Sequence, residues 1–268
     1  AYKVGTAANN VYMGYDAGSA ATTGSYQVGI GVSAGNSDTG AGTISIGWFA
    51  NRNNTALGTT SIGYQAGYSH TSGTGGVNVG YEAGKDNTTG ASRTMIGYRA
   101  GKSNTGGWNT FIGTQCGFAT GSGIMNVGIG SNNMAFAAMG NYNIALGHQT
   151  AQSLEGAENV FIGHEAGQTA STVDDTVGVG FNAGKGITTG DQNTLIGSKA
   201  GYSGTNDLTT GADNVLIGFE AEASSATVSN EVNLYNGSVV ARFQGAAAAW
   251  SFVSDARDKK DIEDLLHY

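Results

Sequence analysis

"NVFIGHEAG" (159–167) is the stretch whose reading decides the fold. It returns as "NTLIGSKAG" (193–201), "NTFIGTQCG" (109–117), "RTMIGYRAG" (93–101) and "NVYMGYDAG" (10–18). With the glycine after the aliphatic residue as anchor, the series runs Gly14, Gly31, Gly47, Gly63, Gly80, Gly97, Gly113, Gly130, Gly147, Gly163, Gly180, Gly197 and Gly218. The steps are 16 or 17 residues until the last, which is 21. Thirteen copies in one register mark a repeat protein whose units bury their apolar surface by stacking.

The columns of the repeat have physical meaning. One residue before the anchor stands an aliphatic side chain in every copy, from Met13 and Ile30 to Ile196 and Ile217. Three before it every residue is β-branched, from Val11 and Val28 to Thr194 and Val215. Positions two apart share one face of a strand, so a short strand with these two columns on a buried face is expected, ending in Gly and a loop. Three after the anchor sits a small residue, usually Ala. The loops carry Thr-Thr-Gly, as at Thr22–Gly24, Thr88–Gly90 and Thr188–Gly190, where Gly permits a tight turn. Asn four before the anchor (Asn109, Asn126, Asn143, Asn159, Asn193, Asn214) can stack as an amide ladder between coils.

The fold class expected is therefore all-β: an elongated β-solenoid or β-roll of about 13 coils over residues 1–222. At a strand spacing of about 4.8 Å the rod would be roughly 60 Å long. Each coil can bury only about four side chains, a thin core, so several chains side by side with a shared apolar seam are expected. Directly after the anchor stand Tyr15, Trp48, Tyr64, Tyr81, Tyr98, His148, His164, Phe181 and Phe219. Alternation puts them on the same face as the aliphatic columns, as a ladder inside the core or between chains. The other reading is an exposed strip that stacks on sugar rings.

Composition narrows the function. The chain has 46 Gly, no Pro and only 12% charged residues, yet 39% are hydrophobic, which excludes collagen and a disordered tail. The net charge of −8 argues against nucleic acid, because phosphate binding needs a basic patch. A single cysteine, Cys116, excludes an intrachain disulfide framework. No apolar run reaches membrane-spanning length, so no membrane insertion is expected. Beginning at Ala1 rather than Met, the chain is expected to be a piece of a longer or processed protein.

The period fails after Glu222. "EVNLYNGSVVARF" (231–243) places Asn236-Gly237 between two alternating apolar runs, a two-residue hairpin signal, and 223–253 reads as a β-hairpin neck closing the solenoid. Charge density then changes abruptly. The 254 residues up to Ser254 hold 24 charged side chains and the 14 after it hold eight. Ile262, Leu265 and Leu266 are spaced for one helical face, so residues 254–268 are expected to begin an α-helical segment that is truncated here.

"SDARDKKDI" (254–262) resembles the opening of the self-cleaving intramolecular chaperone domain at the C-terminus of phage tail fibres, tailspikes and endosialidases. The resemblance implies a homotrimer held by that chaperone while the β-fibre folds. It also implies cleavage of the Ser254–Asp255 bond, with Ser254 as nucleophile and Lys259 as its base. That chemistry is reasonable, since a hydroxyl needs a base and a desolvated Lys can supply one. Ser254 as a turn or helix-entry residue beside a solvated Lys259 is the alternative. The repeats resemble the Gly/Ala-rich β-rolls of fibre shafts and trimeric autotransporter adhesin heads, more loosely.

The resemblance points to a shaft on a virion tail fibre, extracellular, that takes part in host attachment. Its partners would be two further copies of itself, a host cell-surface glycan or protein receptor, and other tail components. No cofactor or metal is expected, and no catalysis beyond self-cleavage. A bacterial trimeric surface adhesin and a polysaccharide depolymerase on a fibre scaffold are the alternatives. Glycan cleavage would need two carboxylates roughly 5–10 Å apart, and Glu155, Glu158, Glu165, Asp174 and Asp175 are the available bunch, otherwise a solvated face. His148 and His164 share one column, which allows stacking or a metal, although no third ligand is visible. "GIGVSAG" (29–35) and "GVGFNAG" (178–184) are copies of the repeat rather than nucleotide loops. An ice-binding array is ranked last, since the Thr positions are irregular. The loops 36–43, 131–140 and 202–213 depart most from the repeat and are the expected recognition surface.

Overall fold

The computed structural model describes residues 8–119, 121–136, 138–238, 240–244 and 251–252. The chain is a β-solenoid. Each repeat makes one coil with a single three-residue strand, from β1 (Val11–Met13) to β13 (Val215–Ile217), and all thirteen pair in parallel with their sequence neighbours. Registers are strict: Val160 lies opposite Val177, and Ile162 opposite Val179. The described residues contain no helix.

The coil around Gly163 shows how the stack is held. Val160 N–H donates to Thr176 on the next coil, and Gly163 N–H to Leu146 on the previous one, at 2.9 and 2.8 Å. Past the anchor, Glu165 N–H reaches back to His148 (2.9 Å), whereas Gly167 and Thr169 reach forward to Ala183 and Lys185 (3.0 and 3.2 Å). This two-way pairing needs alternate residues in the left-handed region: Gly163, Glu165 and Gly167 have φ of 138°, 56° and 57°. Every anchor repeats the geometry. A Cβ on it would fall inside 3.0 Å of the carbonyl one coil on, so only glycine lets the coils approach.

The inside of the coil differs from expectation. The aliphatic and β-branched columns do share a face, but it is the outer one. Ile62, Ile96, Ile129, Ile144 and Ile196 are between 36% and 42% exposed. The buried column is the strand's central residue, where Met95, Phe111, Phe161, Leu195 and Leu216 are fully buried. It packs against the small column beyond the anchor, including Ala83, Ala100, Cys116, Ala166 and Ala200. The physical reason is width. An interior facing an Ala column has little room for bulk, and each phenyl ring is relieved by a glycine on the next coil: Phe111 by Gly128 and Phe161 by Gly178. A Cβ on either glycine would strike the preceding phenyl ring. Cys116 is part of this packing; burial pushes its thiol up to about 12, which leaves it unreactive.

The asparagine column forms its ladder. Asn126, Asn143 and Asn159 each donate their backbone N–H to the side-chain oxygen of the Asn one coil before, at 2.8 to 3.0 Å. Their amides donate to loop carbonyls of Gly140, Gly156 and Val173. The rung is thus side chain to backbone, with direct amide pairs only at places such as Asn214 to Asn193 (2.9 Å).

The solenoid also runs one strand past Glu222. β14 (Glu231–Tyr235) pairs in parallel with β13, so the hairpin stands on the rod's last rung. Its partner β15 (Val240–Gln244) is antiparallel with Tyr235 opposite Val240, and β16 (Ser251–Phe252) adds to β15. That register makes the connection 236–239 rather than the two-residue turn expected from Asn236-Gly237. Residues 254–268, with the helical segment, lie outside the described residues.

Facing the Asn column across the interior is a second file that changes along the rod. Toward the C-terminal end it holds Leu154, Ala170, Ile187 and Leu208. Toward the N-terminal end it holds Asp38, Asn54, His70 and Asn87, all buried. Burial raises the Asp38 carboxyl to about 6, against the opposing pull of hydrogen bonds from Thr43, the Gly40 N–H and Asn54. Because the folded value lies above the unfolded one, the stability this group contributes is full below about pH 4 and is lost as pH rises through about 6.

Two measurements check this fold. Gly163→Ala is expected to destabilise the rod by about 3 kcal/mol or more, combining left-handed strain with a backbone clash. Gly58→Ala, at φ 63° with nothing within 4 Å of the new methyl, should cost only about 1–2 kcal/mol. Asp38→Asn should raise stability at pH 7.5 by about 1–3 kcal/mol, and the gain should vanish at pH 4 in thermal melts.

Candidate functional site

Three outer columns make the most unusual surface of the chain. The β-branched, aliphatic and aromatic positions at −3, −1 and +1 from each anchor run the length of the sheet on one face. Strand alternation forces this, because residues two apart project the same way. Val11 and Met13 are 56% and 62% exposed at the first coil, and every later coil adds a partly exposed pair. Isolated soluble chains seldom leave so long an apolar face open.

The aromatic column is a ladder along that face, built in segments. Tyr64, Tyr81 and Tyr98 stack with ring centroids 4.9 and 5.3 Å apart, and Trp48 meets Tyr64 edge-on at 5.5 Å. His148, His164 and Phe181 form a second stack at 5.2 and 5.3 Å. Tyr15 and Phe219 sit at the two ends of the column, 76% and 58% exposed. The expected burial by alternation is therefore not met within one chain: the ladder is formed, but it lies open. The histidine pair belongs to the stack, and among the described residues no three His, Cys, Asp or Glu side chains are grouped to hold a metal.

The acidic bunch does not converge. Glu165 pairs with Lys185 at 2.7 Å, which holds its carboxyl below the usual range. Asp174 accepts the Ala157 N–H (2.6 Å), and Glu155, Glu158 and Asp175 are exposed. The two Gly-rich stretches at 29–35 and 178–184 are strand and turn, as in every other coil.

The three irregular loops have different fates. In 36–43 the chain turns inward, burying Asp38 and Thr43, so this loop offers little surface. In 131–140 Met134 and Met139 are buried and Phe136 projects at 60% exposure. The loop 202–213, which accounts for the long last step, borders a cleft of about 300 Å³ lined by Ser203, Thr205, Glu220, Glu222, Asn233, Tyr235 and Arg242. Glu220 is paired with Lys199 at 2.8 Å, and Glu222 accepts the Asn206 N–H at 2.8 Å. The buried Asn233 Oδ1 and Ser203 Oγ lack partners. Sequence reasoning named the loop but missed the cleft, because its other wall is the hairpin's first strands. Ser254, Asp255 and Lys259 lie outside the described residues.

The fold defines the chain as a β-solenoid repeat protein with one open apolar sheet face. Comparison with protein-family models, curated proteins and solved structures gives no match. No helix among the described residues is long and apolar enough to cross a membrane.

The tyrosine stack has a measurable weight. Tyr81→Ala, which removes two stacked contacts at once, should lower stability by about 1–3 kcal/mol in thermal melts. Tyr15→Ala, at the far end of the column, should change it by less than about 1 kcal/mol.

Proposed function

We propose that the chain is the shaft of a phage tail fibre or tailspike, one of three parallel copies, serving host attachment rather than catalysis. The observation that carries this reading is the open face of the sheet. A rod with a thin core exposes two aliphatic columns and an aromatic ladder, and two further copies of the same chain are the occupants that would cover all coils in register. Like columns meet like columns around a common axis, which suits a repeat whose outer strand positions stay β-branched and aliphatic in every copy. The charge cluster after Ser254 supports the number three through its likeness to the trimer-forming chaperone.

In this reading the shaft is rigid and recognition is local. The cleft beside 202–213 supplies carboxylates, an orphan amide oxygen and the Tyr235 ring, a chemistry suited to the hydroxyls and apolar faces of a surface glycan. The aromatic ladder serves assembly instead, since the three-chain seam would cover it. Self-cleavage at Ser254–Asp255 releases the chaperone once the rod has formed.

The test is the native and denatured mass of the full-length gene product. A native mass three times the denatured one is expected, with denatured chains ending at Ser254. Uncleaved trimers would remove the self-cleavage step, and a monomer would overturn the proposal. Ile129→Lys, placing a charge at the middle of the open face, should reduce assembly at least tenfold, because a charge buried in an apolar seam has no partner. A charge reversal at the outward Glu155 should leave assembly unchanged.

A further inference from the structure

The interior of the N-terminal half contains a buried cation that the protein itself does not neutralise. Arg93 occupies the Asn column, between Gly76 on the coil before and Asn109 on the coil after. It is 1% exposed, and Nε, Nη1 and Nη2 all lack an acceptor. Burial lowers its pKa to about 10, so it remains a cation at neutral pH. None of the ion pairs among the described residues includes it. Asp38, the buried acid of this interior, lies several coils away and is engaged by Thr43, Gly40 and Asn54.

The neighbours of Arg93 share its condition. Thr59 Oγ1, both ring nitrogens of His70 and Asn87 Nδ2 are buried without a hydrogen-bond partner. Burial, and after it the Arg93 charge, lowers the His70 pKa to about 4, so the ring is neutral at pH 7, with the backbone of Ser72 and Gly90 pulling weakly the other way. The Thr59 hydroxyl, the Asn87 amide nitrogen and one nitrogen of the His70 ring can each donate a proton. Asn78 adds another donor. Ser61 gives its hydroxyl proton to Asn51 Oδ1 (2.7 Å), so Asn78 offers its amide nitrogen to Ser61 (3.1 Å), while Asn78 Oδ1 is buried without a partner.

Gly76 leaves the space between them. A Cβ there would lie 3.5 Å from Arg93 Nη2, 3.7 Å from His70 Cε1 and 3.8 Å from Asn78 Nδ2, ordinary contact distances around an open point. Every other column position from Asn10 to Glu231 carries a side chain; Gly76 alone carries none. A point beside a buried, unpartnered guanidinium, with room for a methyl-sized group and no carboxylate among its nearest atoms, is the complement of a monovalent anion.

We propose that the space beside Gly76 binds a single chloride-sized anion, held by the Arg93 guanidinium and bordered by His70 and Asn78. One guanidinium balances one negative charge, and the room of a side-chain stub suits a monatomic ion better than an oxyanion. With Arg93, His70 and Asn78 all buried, the ion enters as the coils stack and is retained in the folded rod. It completes the polar file where the Asn ladder is interrupted, between Gln27 and Asn109.

The test is diffraction from full-chain crystals prepared in chloride, recorded at a wavelength where chlorine scatters anomalously. A single anomalous peak within hydrogen-bond distance of Arg93 is expected, and it should be lost in Arg93→Asn, which restores the residue of the column. A water or empty space beside Arg93 in the unaltered chain would overturn the site. Thermal unfolding gives an independent reading. The unaltered chain should melt several degrees higher in chloride than in gluconate at equal ionic strength, and Arg93→Asn should show no such difference. An equal shift in both chains, or none in either, counts against the proposal.

Discussion

The close approach of one anchor glycine to the carbonyl of the next is the constraint on which the rest of the rod depends. It allows no side chain and needs a φ between 126° and 140°, so glycine is required at each step for two separate reasons. Once the anchors stack, some backbone N–H groups around each turn reach back to the coil before and others forward to the coil after. Each coil is then hydrogen-bonded to both neighbours through backbone that would otherwise be unsatisfied. The left-handed residues two after the anchor, among them Glu82, Arg99, Glu165 and Lys199, are held in that region by this pairing rather than by preference. Their side chains consequently line one edge and pair across coils, as Arg99 does with Glu82 at 2.8 Å.

The same constraint makes the interior narrow. The anchors and the Ala column draw the turn close to the strand, so the inner strand residue must match its neighbours in volume. Phe161 above Gly178 and Phe111 above Gly128 are the clearest cases. Bulk that cannot be placed inside is displaced to the outer face, where the sheet is flat and like side chains stack upon like. An apolar exterior is thus a consequence of a coil too small to contain its own apolar residues. Assembly with further copies is the simplest way for such a rod to remove that surface from water.

The two halves of the rod resolve their interiors differently. Leu154, Ile187 and Leu208 fill the C-terminal half with hydrocarbon, which needs no partner. In the N-terminal half, polar side chains take the same place, Asp38 and Asn54 hydrogen-bonded to each other and both His70 ring nitrogens without a partner. Asp38 and Arg93 carry charges into it without meeting each other, so one holds its proton to higher pH and the other waits for a counter-charge. A polar file of this kind fixes the register of coils more strictly than apolar packing does, since a slip would break every rung.

The repeat length, the all-β class, the one-strand coil and the Asn ladder were legible in the sequence, because anchor spacing and β-branching are local properties repeated thirteen times and Asn recurs at its column position in seven of those copies. The aromatic ladder and the site of the end loop were legible for the same reason. Which face of the strand turns inward was not: a period of two defines two faces, and only the distance from strand to turn decides which can be enclosed. The left-handed Glu, Arg and Lys positions gave no compositional signal, since tertiary hydrogen bonds impose them. The continuation of the sheet into Glu231–Tyr235 was hidden by the loss of the anchor glycine, where Tyr235 takes its place at the end of the stack. The end cleft and the gathering of His70, Asn78 and Arg93 around Gly76 arise only when separate coils stack. Contacts made across coils are set by the geometry of the stack, and a one-dimensional pattern does not contain it.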